Sequence, residues 1–263
     1  MKSVIFGFLL LFSLIGSVSL SGDQKRSPKG AEREGWALTF FDEFDGGKLD
    51  YDKWMPKDPW GVERNGELQG YWLKAFHLSD GILKIRCEDT PTFYDGQKRE
   101  YRSGMMTTHG KFSQKYGRFE IRCKVPAGQG LWPAFWMLAD KPLSWPPEID
   151  ILEILGEDPD RIYLSHHWVN PEDPKGDSES ITAEIDGPDF SKEFHTFALE
   201  WQKDEMRWYI DGIEKHSTTD EIPHRPMFLL ANLAVGGWAK EPDGNTPFPS
   251  DFEIDHIRVW TKK

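Results

Sequence analysis

Basic side chains are in short supply in this chain, and so are cysteine and long apolar runs. Lys and Arg number 32 against 44 Asp and Glu, a formal net charge of −12 over 263 residues. A nucleic-acid binder would carry a basic stripe. None is visible, and a polyanionic ligand is disfavoured on the same ground. Only two cysteines occur, Cys87 and Cys123, too few for a disulfide scaffold or a cysteine zinc site. They read either as a disulfide between neighbouring strands or as two buried thiols, since free cysteine packs well in cores. The one extended apolar run, Val4 to Ile15, follows Lys2 and precedes Gly16, Ser17, Ser19 and Ser21. It is short of the roughly 20 residues that span a membrane. Its layout is that of a secretory signal peptide over residues 1–21, so the chain is expected to be secreted, with no membrane association after cleavage.

Residues 22–34 are polar and charged, cannot bury enough surface to fold alone, and are expected to form a flexible linker. Beyond them the composition is even, with no internal repeat, and a single domain is expected over 35–263. Amphipathic helical periodicity is missing there. Instead, short alternating runs recur between Gly, Pro, Asn and Asp breaks: Gly81 to Arg86, Gly117 to Arg122, Phe194 to Trp201, Met206 to Gly212 and Phe252 to Trp260. Asp211-Gly212 is a hairpin-turn signal. Many short strands without helical period predict an all-β fold of two packed antiparallel sheets.

One stretch departs from that plain alternation. Trp145-Pro146-Pro147-Glu148-Ile149-Asp150-Ile151-Leu152-Glu153-Ile154 sets three carboxylates into an apolar, β-branched run. Alternation puts Glu148 and Asp150 on one face but sends Glu153 into the core, where an unpaired carboxylate is costly. One extra residue, a β-bulge, restores Glu153 to the acidic face. The bland alternative is a solvated strand face with incidental acids.

Tryptophan is abundant, at 12 residues. Trp54, Trp201, Trp208 and Trp260 read as core. Trp60, Trp72, Trp132, Trp136, Trp145 and Trp238 lie in Gly/Pro-rich segments, where a flat ring with a polar edge suits stacking on a sugar. Asn65, Glu67 and Gln69 are hydrogen-bonding groups at alternate positions, lining the same cleft or forming a solvated strand edge. Two carboxylates flanking a glycosidic bond are the minimum equipment for its hydrolysis, and in retaining enzymes they stand about 5–5.5 Å apart. Five extended positions would span about 16 Å, so bulging and long Glu side chains must close the gap. Glu148 and Glu153 are the candidate pair, with Asp150 between them as an orienting partner. Spacing alone leaves open which glutamate attacks.

Glu148-Ile149-Asp150-Ile151-Leu152-Glu153 resembles the bulged signature of glycoside hydrolase family 16, as in laminarinases, agarases and carrageenases. Further blocks agree in order: Phe41-Asp42-Glu43-Phe44-Asp45-Gly46, Asn65 to Gln69, Lys111 to Glu120, Gly130 to Leu138, Ala231 to Gly237 and Asp255 to Trp260. The resemblance implies a β-jelly-roll sandwich with a concave cleft and retaining endo-hydrolysis of β-glycans. It also supplies the roles: Glu148 as nucleophile, Asp150 as its partner, Glu153 as general acid/base. No cofactor is required for this chemistry. The family often holds a structural calcium far from the cleft, and the matching positions are Glu43, Gly81 and Asp255. His167 matches a cleft histidine, with a buried structural role as its alternative.

The substrate-binding set is therefore Asn65, Trp132, Trp136, Trp145, His167 and Trp238. Two departures from laminarinase-like members stand out: Met105 where arginine is common, and no short insert before the acidic motif. Both bear on which sugar is accepted. The expected substrate is β-1,3-glucan or mixed β-1,3/1,4-glucan, acted on by a monomer. The alternatives are an agarase- or carrageenase-type galactan hydrolase, and a non-catalytic β-glucan-binding lectin on the same scaffold. Retention of all three acids argues against the lectin.

Overall fold

In the computed structural model, apolar and polar residues alternate along most strands, and that alternation builds two sheets facing one another across a shared core. Residues 28–61, 65–170, 172–173 and 178–263 are described. The signal-peptide segment 1–21 and residues 22–27 lie outside them. No α-helix occurs among the described residues.

The larger sheet has eight strands. From one edge it runs Ile213–Thr218, Met206–Ile210, His195–Trp201, Gly117–Lys124, Ser250–Lys262, Ile82–Cys87 and Phe76–Ser79, with Trp36–Asp42 also paired to Ser250–Lys262. The second sheet has six, in the order Ser178–Asp186, Arg161–Val169, Ser144–Glu153, Leu131–Ala139, Met227–Val235 and Met105–Thr107. Every pairing within these sheets is antiparallel. A small parallel pair, Gln69–Tyr71 with Tyr101–Ser103, is a departure from the all-antiparallel expectation. At the Asp211-Gly212 turn both residues have positive φ, 49° and 77°, the twist a tight two-residue hairpin needs.

The inner faces interdigitate through one large apolar cluster that includes Leu83, Ile85, Phe119, Ile121, Phe135, Met137, Ile149, Leu164, Phe197 and Leu229. Trp54, Trp201, Trp208 and Trp260 are buried, as expected of core tryptophans; Trp54 lies in a turn region and the other three on strands. Cys87 and Cys123 are both buried and free. Their strands are not neighbours: Ile82–Cys87 and Gly117–Lys124 flank Ser250–Lys262 on opposite sides. Two strand spacings, about 9–10 Å, exceed the reach of a disulfide. The thiol alternative is the one realised.

The expected linker is partly fold. Ala31 is buried, and its carbonyl accepts the Trp260 indole N–H at 2.8 Å. Arg33 lies over the Trp260 ring and 3.7 Å from Glu120. The polar composition of residues 28–34 concealed this docking, because the contacts are made by backbone carbonyls and a guanidinium rather than by apolar side chains.

Candidate active site

The outward face of the six-stranded sheet carries the site, and the period of two along each strand selects its members. On Leu131–Ala139 the outward residues are Trp132, Ala134 and Trp136. On Met227–Val235 they include Asn232 and Ala234, and on Arg161–Val169 they include Tyr163, Ser165 and His167. Except for Tyr163, all of these line one cavity of about 1070 Å³ together with Glu148, Asp150 and Glu153. Asn65, Trp145 and Trp238 line it as well. Every residue of the expected catalytic and substrate-binding sets thus reaches a single cleft.

The acidic strand contains the bulge. Trp136 pairs with Asp150 and Phe135 with Leu152, leaving Ile151 as the extra residue. On the other edge, Ile149 pairs with His166 and Glu153 with Tyr163, again with a register shift between them. Ile149, Ile151 and Leu152 all join the core, which returns Glu153 to the cleft. The strand's other irregularity coincides with Pro146 and Pro147, where pairing jumps from Leu138–Glu148 to Ala139–Ser144. Proline has no N–H for a ladder, so such breaks are where it fits.

His167 stands directly across from Glu148 in register. Its Nε2 lies 3.6 Å from Glu148 Oε1 and 3.3 Å from Asp150 Oδ2. Burial raises the Asp150 carboxyl above the usual carboxylate range, with His167 opposing. Glu153 Oε1 accepts a hydrogen bond from the Trp132 indole at 3.1 Å. Burial, then the charges of Asp150 and Glu148, push the Glu153 carboxyl well up, and the Trp132 bond opposes only in part. A carboxyl whose pKa is raised by its surroundings is the kind of group a general acid requires. Adjacent His166 points the other way, into the core, where burial drives its ring down to about 4 and keeps it neutral.

Aromatic rings flank both ends of the acid set. Trp238 packs edge-on against Trp132 and Tyr163, with centroids 5.7 and 4.5 Å apart, and Trp145 lies 6.2 Å from the His167 ring. Trp145 and Trp238 remain half exposed, available for stacking. Trp136 donates from its indole to Asn232 Oδ1 at 2.7 Å. Gly237 (φ 63°) belongs to the wall itself: a Cβ there would stand 2.9 Å from the Asn65 carbonyl and 3.2 Å from the Trp132 ring.

Some sequence readings are redirected. Trp72 is absent from the cleft lining and stacks beneath Arg102 at 4.0 Å. Gln69 is buried, with its side-chain oxygen accepting from the Val235 N–H at 2.7 Å, while Asn65 and Glu67 line the cleft. Met105 also lines it, on an apolar floor with Leu138, Phe228 and Leu230. Asn232 was missed, although a lone amide inside the apolar run Leu229 to Val235 was a usable signal.

At the expected calcium position, the Glu43 carboxylate is held by both arms of Arg258 at 2.8 and 2.7 Å. Asp255 pairs with Arg122. Calcium takes six to eight oxygen ligands, so an ion held by these two carboxylates would have to displace their guanidinium partners, while the Glu43 carbonyl and Asp45 Oδ1 face Gly81.

Paired carboxylates in an aromatic-walled cleft on a two-sheet sandwich are the arrangement that hydrolysis of a glycosidic bond requires. The chain belongs to the Glycosyl hydrolases family 16, whose model matches residues 76–257. It is 35% identical over 278 residues to a β-glucanase of Rhodothermus marinus, covering 95% of this chain and 92% of that one. It is 34% identical over 222 residues to an endo-1,3-1,4-β-glycanase of Rhizobium meliloti, covering 79% of this chain. Only 46% of that relative is matched, so the chain spans about half its length. Among solved structures, the laminarinase catalytic domain of Thermotoga maritima superposes with a TM-score of 0.77 at 36% identity, covering 88% of this chain and 100% of that one. The sandwich is therefore the family's β-jelly roll.

Proposed function

We propose that this protein is a secreted, retaining endo-β-glucan hydrolase acting on β-1,3- or mixed β-1,3/1,4-glucan. The observation that carries the reading is Glu153: a buried carboxyl with a raised pKa, held by Trp132 in the same cleft as Glu148 and Asp150. In the first step Glu148 attacks the anomeric carbon while Glu153 protonates the departing glycosidic oxygen, giving a covalent glycosyl-enzyme. In the second, Glu153 takes a proton from water, the resulting hydroxide attacks the same carbon, and Glu148 is released. Asp150 and His167 hold the nucleophile's carboxylate in place. Half-exposed Trp145 and Trp238 on either side of the acids supply stacking for sugars at both ends, which favours internal cleavage of a long chain. The names of the relatives, β-glucanase and laminarinase, support the choice of glucan. Calcium has no part in this scheme, and the protein is taken to act as a monomer after loss of its signal peptide.

Release of reducing ends from laminarin, lichenan, agarose and carrageenan tests the reading. Turnover of the first two with a β-configured product in early-time NMR is expected. Turnover of the galactans alone would replace the glucan assignment, and binding without turnover on all four would leave a lectin. Glu148→Gln is expected to abolish turnover while oligosaccharide binding survives; retained activity would remove Glu148 from the nucleophile role. Mass spectrometry of the exported protein should show a chain beginning after residue 21.

A further inference from the structure

Glu148, Asp150 and His167 bring one ligand atom each within 4.8 Å of one another. The Nε2 of His167 is 3.3 Å from Asp150 Oδ2 and 3.6 Å from Glu148 Oε1. A tetrahedral zinc ion with bonds of about 2.0–2.2 Å needs its ligands about 3.3–3.6 Å apart. Two of the three separations therefore already match an ion that is not needed for the chemistry. Asp150 Oδ2 adds a second, independent observation: it is fully enclosed with no hydrogen-bond donor aligned on it, on a side chain 3% exposed. The charged group nearest that oxygen is His167, whose Nε2 is 3.3 Å away. The frame is rigid as well. Glu148 and His167 face each other across one antiparallel ladder, with Asp150 two residues along the same strand.

From this geometry we infer that a zinc-class divalent ion binds reversibly across Glu148 Oε1, Asp150 Oδ2 and His167 Nε2 and shuts the enzyme down. One imidazole with two carboxylates suits zinc, copper or nickel, whereas calcium requires more oxygens than the trio offers. The fourth coordination position faces the cleft and is left to water. An ion seated there engages the oxygen of Glu148 that would attack the anomeric carbon, and it occupies the place of the sugar. Inhibition is then competitive with substrate. The inhibitory consequence rests on the hydrolase reading; the ion site itself does not.

The test separates the two. Chelator-treated protein is titrated with zinc chloride by calorimetry, and with cobalt chloride while tetrahedral d–d absorption is followed. Wild type, His167→Ala and Asp150→Asn are compared, each first shown to melt cooperatively. Should either variant fail to fold, Glu148→Gln takes its place. One ion per wild-type chain is expected, with affinity at least about tenfold weaker in each variant. Zinc should also raise KM for laminarin without lowering kcat, and EDTA should reverse the effect. Absence of binding at millimolar ion, or equal binding by the variants, would overturn the site. Inhibition that lowers kcat at unchanged KM would overturn the competitive mode. Failure to cleave any glucan would remove the hydrolase reading while calorimetry still decided the ion site.

Discussion

Glu153 is the residue on which the pH behaviour turns. Its carboxyl is raised first by burial, then by Asp150 and Glu148, and lowered by Trp132. In the proposed mechanism it must be protonated to act, so its ionisation would set the alkaline limb of kcat/KM. Asp150→Asn removes a charge that favours the proton and should move that limb to lower pH. Trp132→Phe removes the hydrogen bond to the ionised form and should move it higher. Opposite displacements in the two pH profiles are the expected result. Ionising Glu153 also opposes folding. Its folded pKa exceeds its unfolded one, so stability falls as pH rises from the ordinary glutamate value, about 4.3, toward the folded value. Glu153→Gln should therefore abolish turnover yet raise the Tm above that pH range, measurable by calorimetry. The acids were legible because carboxylates in an apolar strand violate its pattern. The donors that tune them were less so. The Trp132 ring was legible as a sugar platform, but its bond to Glu153 depends on two strands meeting.

The bulged strand is the element that makes those residues a site, and the opposite sheet holds it in place. The Asp150 carbonyl turns inward and accepts the indole N–H of Trp208 at 2.9 Å across the core. Trp208→Phe keeps most of the volume but removes the indole donor from that carbonyl, a loss of about 1–3 kcal/mol. A bulge that shifts displaces Glu148 and Glu153 relative to each other. The variant should lose about 10- to 100-fold in kcat while KM changes little; lost Tm with intact kcat would make Trp208 structural only. The bulge itself was legible from parity, and so were five strands of the larger sheet; of the six-stranded sheet the acidic strand was read, whereas Trp132 and Trp136, expected in a Gly/Pro-rich segment, lie on the strand Leu131–Ala139. The partner of its freed carbonyl was not, because Trp208 shows in sequence only as an apolar strand residue. The arginine partners of two of the expected calcium residues were hidden for a related reason. Sequence placed Glu43 and Asp255 in matching blocks but could not show Arg258 and Arg122 already paired to them.

At the scale of the whole molecule, the segment before the first strand closes one face of the larger sheet. Beginning the chain at Gly35 would remove the Ala31 carbonyl from Trp260 and Arg33 from Glu120. With about 1–2 kcal/mol lost and about 2–4 °C per kcal/mol at this size, the Tm should fall by several degrees. The kinetic constants should hold, since these contacts lie on the sheet away from the cleft. The two cysteines carry a further consequence. Burial holds Cys87 at about 12 and Cys123 well above the usual thiol range, so neither supplies a thiolate near neutrality. A chain read as exported into an oxidising compartment thus has no covalent bond to form on arrival. Its folding is indifferent to the redox potential around it, and material made in a reducing cytoplasm should match exported material in melting temperature and activity.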